Sequence, residues 1–173
     1  TENWTKAPVE FLNSNSDYGA CQPKILDDKI PIKFEYAGAS GGYIDALGYP
    51  FCRGRLFDTL EHDKGQYDDI KDIFWASGAA LFARREVYLK VGGLDESFFA
   101  HQEEIDLCWR ILNEGHKIAC IPQSKVYHLG GASLDKSRPK KTFLNFRNNL
   151  IMLLKNLPLQ VNRILFSHCH ASV

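Results

Sequence analysis

An acid-rich helix that follows a glycine-closed helix is the feature that most restricts the fold of this chain. Residues 84–91 predict a first helix, and Gly92-Gly93 supplies the residues that end helices in left-handed backbone. Residues 103–113 predict a second helix that Gly115 ends. Four apolar residues recur there at helical spacing: Ile105, Cys108, Trp109 and Leu112.

Short apolar segments before and after these helices predict strands. Residues 20–26 predict a strand, which Pro23 places at a sheet edge because proline cannot donate to a ladder. Residues 74–83 predict a buried strand beside a tight turn at Ser77-Gly78. Residues 117–121 predict a strand that Pro122 stops, and residues 125–127 a shorter one. This order predicts an α/β fold with a mixed sheet, flanked by helices.

Residues 34–70 have a different character. Glycines recur every few residues, aromatic side chains are frequent, and neither the strand nor the helix period persists. The segment predicts loops with short strands, and the aromatic content argues against disorder. Long loops inside compact domains are usually functional or disordered, so we favour a substrate-facing role.

The C-terminal part of the chain predicts an amphipathic, basic helix that ends at Pro158. Such a helix either packs on its own domain, which we favour, or lies on an anionic membrane surface. We therefore expect two parts, residues 1–135 and residues 136–173. His168, Cys169 and His170 near the end are read as part of a tail rather than a metal site.

Composition excludes several classes of function. The formal net charge is zero, which argues against a general nucleic-acid binder. No apolar run is long enough to cross a bilayer, and no signal-peptide pattern is present. The five cysteines are odd in number and lack zinc-site spacing, so we expect reduced thiols, with Cys108 and Cys120 in the core.

Three carboxylates at the start of the second helix are the first candidates for chemistry. Glu103, Glu104 and Asp106 are explained by the helix dipole and by capping unless other residues join them. On a helix, Glu103 and Glu104 point about 100° apart, so a site would use them differently. His128 follows a strand-like segment and precedes Gly130-Gly131, and it is read either as a structural residue or as a ligand at the same sheet edge.

Several linked motifs in one order resemble a known family. They are a small-Gly-Ala turn before an apolar strand, Arg-Arg-Glu opening a helix, Gly-Gly-Leu-Asp-Glu, Phe-Phe, Glu-Glu-Ile-Asp-Leu, and later Tyr-His. The run resembles the acceptor-side half of bacterial family 2 glycosyltransferases, in their rhamnosyltransferase-like branch. The resemblance covers about residues 20–157 and is strongest over residues 75–133. It implies a partial GT-A fold whose N-terminal nucleotide-binding half is missing.

The resemblance also implies roles for individual residues. Glu104 stands where the family has the aspartate proposed as catalytic base, and Glu103 matches the glutamate before it. His128 matches a histidine that completes the coordination of a divalent cation, Mn²⁺ or Mg²⁺. The substrate-binding residues are expected to be Trp75, Ser77, Gly78 and Asp106.

The implied reaction is transfer of a sugar with inversion, from a nucleotide-diphosphate donor to a saccharide or lipid-linked saccharide. Arg53 and Arg55 are candidates to pair with the diphosphate, or else are solvated loop charges. Asp27-Asp28 and Asp68-Asp69 lack the Asp-x-Asp spacing of the family's metal motif, so we expect a fragment that is inactive alone.

Two further readings stay open, a non-catalytic carbohydrate-binding or interaction module and, more weakly, a metal-dependent hydrolase. The family and the basic helix suggest a cytoplasmic protein at the inner face of the membrane. A homo-oligomer is also possible in this interpretation.

Overall fold

The computed structural model describes residues 3–130 and 139–158. The helices among them are α1 (Lys6–Ser14), α2 (Arg85–Lys90), α3 (Glu103–Asn113) and α4 (Pro139–Asn156), with a 3-10 turn at Glu96–Phe98. The predicted histidine-containing tail and Gly131 lie outside the described residues. Both predicted central helices are confirmed, and Gly92 and Gly93 have the left-handed backbone that closes α2.

A four-stranded mixed sheet forms the centre of the molecule. Its strands are β1 (Tyr18–Asp27), β6 (Lys71–Asp72), β7 (Phe82–Ala83) and β8 (Lys117–His128), in the order β6-β8-β1-β7. β1 and β8 run parallel, whereas β7 and β6 pair antiparallel at the two edges. The predicted mixed sheet with flanking helices is therefore confirmed.

The placement of Pro23 at a sheet edge was wrong. β1 is an interior strand, and Pro23 lies opposite Ile121 immediately before a register shift that pairs Lys24 with Lys125. A proline is tolerated at such a bulge because the ladder is interrupted there. The same bulge accommodates Pro122, so β8 continues as one strand where the sequence predicted two.

A second, smaller sheet occupies the aromatic, glycine-rich segment. It is an antiparallel meander of β2 (Gly42–Ile44), β3 (Pro50–Cys52), β4 (Arg55–Leu56) and β5 (Thr59–Leu60). This confirms loops with short strands, whereas the substrate-facing role stays a prediction.

The strand predicted over residues 74–83 is mostly wrong, because within it only Phe82–Ala83 forms a strand of the central sheet and Trp75 makes an isolated bridge to Gly42. In the residues before Phe82, side chains accept the hydrogen bonds of backbone amides. Ala76 N–H donates to Cys108 Sγ at 3.3 Å, and Ser77 N–H donates to Gln22 Oε1 at 2.8 Å. These contacts hold a turn in place of an extended ladder.

The main core lies between the sheet and helices α2, α3 and α4. Ile105, Cys108 and Ile111 of α3 and Met152 of α4 are buried in one cluster. Cys108 and Cys120 are fully buried, as predicted, and the described cysteines are free thiols.

The face of helix α4 that packs on α3 is not the face that carries its largest apolar side chains. Leu144, Asn148, Asn149 and Met152 are buried, whereas four large apolar residues are exposed: Phe143, Phe146, Leu150 and Leu154. The division at residue 135 and the membrane contact stay predictions. Over residues 3–130 and 139–158, no helix has both the length and the apolar character needed to cross a bilayer.

Candidate active site

The chain enters α3 through a loop with unusual backbone. Phe99, His101 and Gln102 have φ of 62°, 71° and 68°. Left-handed backbone costs a residue other than glycine about 1–3 kcal/mol, and it persists only where surrounding contacts enforce it. Residues 98–102 are called the strained loop below, and its last two residues set the direction in which α3 begins.

Glu104 occupies the first turn of α3 with an unsatisfied carboxylate. Its Oε2 is buried and has no hydrogen-bond partner in the described part of the chain, although the residue as a whole keeps partial exposure. Burial, reinforced by the charge of Glu103, raises the pKa of Glu104 to about 7. A carboxylate with this pKa can accept a proton from a substrate hydroxyl near neutral pH.

The exposed turn at Gly78 faces Glu104. A Cβ placed on Gly78 would lie 3.8 Å from Glu104 Cβ, so glycine keeps this side open. Trp75 and Ser77, also predicted to contact substrate, are buried instead. Trp75 Nε1 donates to the Tyr43 carbonyl at 2.9 Å, and the Ser77 hydroxyl donates to the Ala37 carbonyl. In this geometry the two residues support the turn from beneath.

Glu103 points to a different place from Glu104. It lines an open cleft with Leu94, Asp95, Glu96 and Phe99, and its Oε2 is also a buried atom without a partner among the described residues. The two adjacent carboxylates therefore divide between the Gly78 side and this cleft, as expected from their separation around the helix.

Asp106 lies neither at the Gly78 turn nor in the cleft that Glu103 lines. It is fully buried and accepts from Arg110 Nη2 at 2.8 Å, Lys155 Nζ at 3.0 Å and Asn156 Nδ2 at 2.8 Å. These contacts join α3 to α4, and they give the Asp106 carboxylate a structural explanation. Its substrate contact stays an untested prediction.

His128 ends β8 beside a carboxylate that the sequence analysis missed. Its Nδ1 lies 3.6 Å from Oε1 of Glu35, a residue with 3% exposure. The other Glu35 oxygen accepts from the Ala37 amide at 2.6 Å. No sequence signal distinguished Glu35, because it stands alone between two aromatic residues.

The residues around His128 fit a divalent cation in part. His128 Nδ1 is buried and has no hydrogen-bond partner among the described residues, and an imidazole nitrogen beside a carboxylate oxygen suits Mn²⁺. No group of three metal-binding side chains occurs within the described residues, so any further ligands would have to come from elsewhere.

Arg53 and Arg55 each retain an unused donor. Arg53 pairs with Asp69 and lies 4.7 Å from the Tyr67 ring, and its Nη1 is buried without a partner among the described residues. The Arg55 guanidinium lies 4.2 Å from the ring of Tyr36, next in sequence to Glu35, and its Nε is equally unsatisfied in this part of the chain. Unsatisfied guanidinium donors suit an anionic ligand such as a diphosphate.

A short series of contacts connects the two halves of the candidate site. Glu35 contacts His128 and accepts from the Ala37 amide, and the Ala37 carbonyl accepts from Ser77. Ser77 precedes Gly78, which faces Glu104.

Sequence analysis also missed the strained-loop residues His101 and Gln102, since their sequence gives no sign of left-handed backbone.

Comparison with known proteins gives the chain its relatives. No protein-family model matches it. It is 31% identical over 88 residues to the N-acetylglucosaminyl-diphospho-decaprenol L-rhamnosyltransferase of Mycobacterium tuberculosis, a match that covers 51% of this chain and 28% of the relative. It is 26% identical over 139 residues to a dTDP-rhamnosyl transferase of Shigella flexneri, covering 72% and 46%.

A third relative is the low-salt glycan biosynthesis hexosyltransferase of Haloferax volcanii. The two are 24% identical over 160 residues, which is 90% of this chain and 48% of the relative. The chain thus spans about half or less of the length of these curated relatives.

The fold has a solved counterpart in GalNAc-T7, whose crystal structure contains UDP, GalNAc and Mn²⁺. The TM-score is 0.57 at 16% identity, and the match covers 87% of this chain and 28% of that chain. This likeness concerns the fold alone. The chain carries part of a GT-A glycosyltransferase fold, and the rhamnosyltransferases and the hexosyltransferase among its relatives confirm the resemblance to rhamnosyltransferase-like glycosyltransferases.

Proposed function

We propose that this chain forms the acceptor side of a glycosyltransferase site. The enzyme would move a sugar, with inversion, from a nucleotide-diphosphate donor to a saccharide or lipid-linked saccharide during glycan synthesis. The observation that carries the proposal is the unsatisfied, buried carboxylate oxygen of Glu104 at the start of α3, beside the open Gly78 turn. Unsatisfied polar atoms are costly in a folded protein and mark places where a ligand completes the hydrogen bonding.

Glu104 is the proposed base. Its carboxylate would take the proton of an acceptor hydroxyl while that oxygen forms a bond to the anomeric carbon of the donor sugar. The bond between the anomeric carbon and the diphosphate oxygen breaks in the same step, and its electrons leave with the diphosphate. Glu103, on the neighbouring cleft, would bind other hydroxyls of the acceptor and hold it in line.

The opposite side of the site would receive the leaving diphosphate. Arg53 and Arg55 would donate hydrogen bonds to its oxygens through the guanidinium atoms that lack partners among the described residues. His128 and Glu35 would hold a divalent cation, which supplies charge neutralisation for the diphosphate when bound. The imidazole favours Mn²⁺ over Mg²⁺.

The test is Glu104→Gln in the complete protein. The amide cannot act as a base, so release of nucleoside diphosphate from dTDP-rhamnose or UDP-hexoses in the presence of acceptor should fall about 10²–10⁴-fold. Donor binding, measured by calorimetry, should be unchanged. Because the pKa of Glu104 is about 7, the activity of the unsubstituted protein should rise as the pH increases through that value.

Glu114→Gln is the matched control, since Glu114 caps the other end of α3 and pairs with Lys90 at the surface. The control should keep full turnover. Equal turnover in the Glu104→Gln variant would reject Glu104 as the base. A protein that binds glycans but releases no nucleoside diphosphate would favour the carbohydrate-binding module instead.

A further inference from the structure

Helix α4 supplies the hydrogen bonds that enclose the strained loop. Asn148 is fully buried, and its side-chain Nδ2 lies within hydrogen-bond distance of three loop carbonyls. The distances are 3.0 Å to Phe98, 2.7 Å to Ala100 and 2.7 Å to His101. An amide nitrogen has two hydrogens, so at least one of these contacts is shared. One side chain thus contacts three of the five backbone carbonyls of the strained loop.

The neighbours of Asn148 reinforce this contact. Arg147 Nε donates to Asn148 Oδ1 at 2.9 Å, which fixes the orientation of the amide. Arg147 Nη2 donates to the Ser97 carbonyl at 2.8 Å and the Phe98 carbonyl at 3.1 Å. In return, Gln102 Nε2 donates to the carbonyl of Asn145 at 3.1 Å. The loop is therefore bonded to α4 along its whole length.

Other contacts hold the N-terminal end of the loop: the Phe98 side chain is fully buried in the core, and Ala100 N–H donates to the Phe98 carbonyl at 2.7 Å. Phe99, His101 and Gln102 hold left-handed backbone, and the carbonyls that Asn148 contacts belong to no strand ladder. Gln102 leads directly into Glu103 and Glu104. A shift of the loop would therefore rotate the first turn of α3 and redirect the Glu104 carboxylate.

We propose that Asn148 is a positioning residue, which holds the strained loop so that Glu104 faces the acceptor. This inference rests on the proposed function, since it assigns Glu104 its chemical role. It makes α4 a part of the site, although sequence analysis set that helix apart with the C-terminal segment. A displacement of about 1 Å of a reacting group is enough to cost about 10²-fold in rate.

The experiment uses Asn148→Leu and Asn148→Ala in the complete protein. Leucine fills a similar volume without donors, whereas alanine removes both volume and donors. We expect both variants to exchange the backbone amides of residues 99–104 at least about 10-fold faster than the unsubstituted protein, because the loop opens. Exchange in β1 and β8 should be unchanged, which shows that the fold persists. The kcat for transfer from dTDP-rhamnose should fall about 10–100-fold with little change in donor KM.

Asn149→Leu is the matched control. Asn149 is a neighbouring buried asparagine whose Nδ2 donates to the Gly48 carbonyl at 2.8 Å, away from the loop. It should leave loop exchange and kcat unchanged. Unchanged exchange in Asn148→Leu, or full activity in that variant, would overturn the inference. Absence of transfer by the unsubstituted protein would instead overturn the proposed function, and the exchange measurement would still decide whether Asn148 holds the loop.

Discussion

Two buried charged groups of this molecule differ in whether they have partners of opposite charge. Lys24, on the bulge of β1, is fully buried and pairs with Asp63 at 2.9 Å and with Asp68. Glu104 has a buried oxygen with no partner among the described residues. Burial lowers the pKa of Lys24, but the hydrogen bonds to Asp68 and Asp63 outweigh it and leave that pKa raised. Burial instead raises the pKa of Glu104, and no described cation offsets it.

The comparison teaches which buried charge serves the fold. Lys24 joins the central sheet to the segment that carries Asp63 and Asp68, so its ion pairs fix two distant parts of the chain. Within the described residues Glu104 makes no such connection, and its charge is a cost to the folded state. The proposed function assigns such an unpaired charge to a ligand, in keeping with the clustering of perturbed groups at functional sites.

The largest effect on stability is expected from a substitution that breaks the ion pairs of Lys24 with Asp63 and Asp68. Lys24→Met should lower the free energy of unfolding by about 3 kcal/mol, because among the described residues it leaves the Asp63 side chain, which is 6% exposed, with Lys125 at 3.2 Å as its one cation beside the Gly65 amide. Urea unfolding at pH 7 measures the change. Lys6→Met, on an exposed pair, is the control and should alter stability by less than about 0.5 kcal/mol. Equal stability of the two variants would show that these ion pairs contribute little to the fold.

A smaller effect of opposite sign is expected at the site. Glu104→Gln should raise the free energy of unfolding on the order of 1–2 kcal/mol at pH 8, after allowance for solvent screening of a partly exposed group. The folded pKa lies above the unfolded one. The contribution of Glu104 to stability is therefore fully present below pH 4.5 and is lost as the pH rises to about 7.

Urea unfolding of the Glu104→Gln variant and the unsubstituted protein across pH 4 to 8 provides the check. The two curves should coincide at the acidic end and separate with rising pH. A variant that is less stable at pH 8 would mean that Glu104 serves the fold as Lys24 does, and the contrast between them would disappear.

The smallest effect on stability is expected for Gly78→Ala. The added methyl carbon would make ordinary contact with Glu104 at 3.8 Å, and the backbone of Gly78 is not in the left-handed region. Stability should therefore stay within about 0.5 kcal/mol. Transfer activity should nevertheless fall, because the methyl group occupies the open side of Glu104. Thermal unfolding and acceptor KM measure the two quantities, and unchanged KM and kcat would place the acceptor elsewhere.

Much of the fold could be predicted from the sequence because its signals are local. The bounds of α3 follow from apolar spacing and acidic residues at its start, and the end of α2 follows from Gly92 and Gly93. Prediction failed where distant residues replaced local hydrogen bonding. The turn at Ala76 and Ser77 depends on Cys108 and Gln22, and the interior position of Pro23 depends on a bulge formed with β8.

Local patterns were sufficient to predict the helices, the mixed sheet and the family resemblance, because side-chain periodicity, capping residues and motif order are properties of neighbouring positions. The different surroundings of Glu104 and Asp106, which lie on the same helix, became visible in the tertiary structure alone. Asp106 pairs with cations of α3 and α4, whereas the buried Glu104 oxygen contacts no cation in the part of the chain that the structure describes. The tertiary structure likewise placed Glu35 beside His128 and Asn148 beneath the strained loop. Packing brings together residues that are far apart in sequence, and local sequence patterns do not predict such contacts.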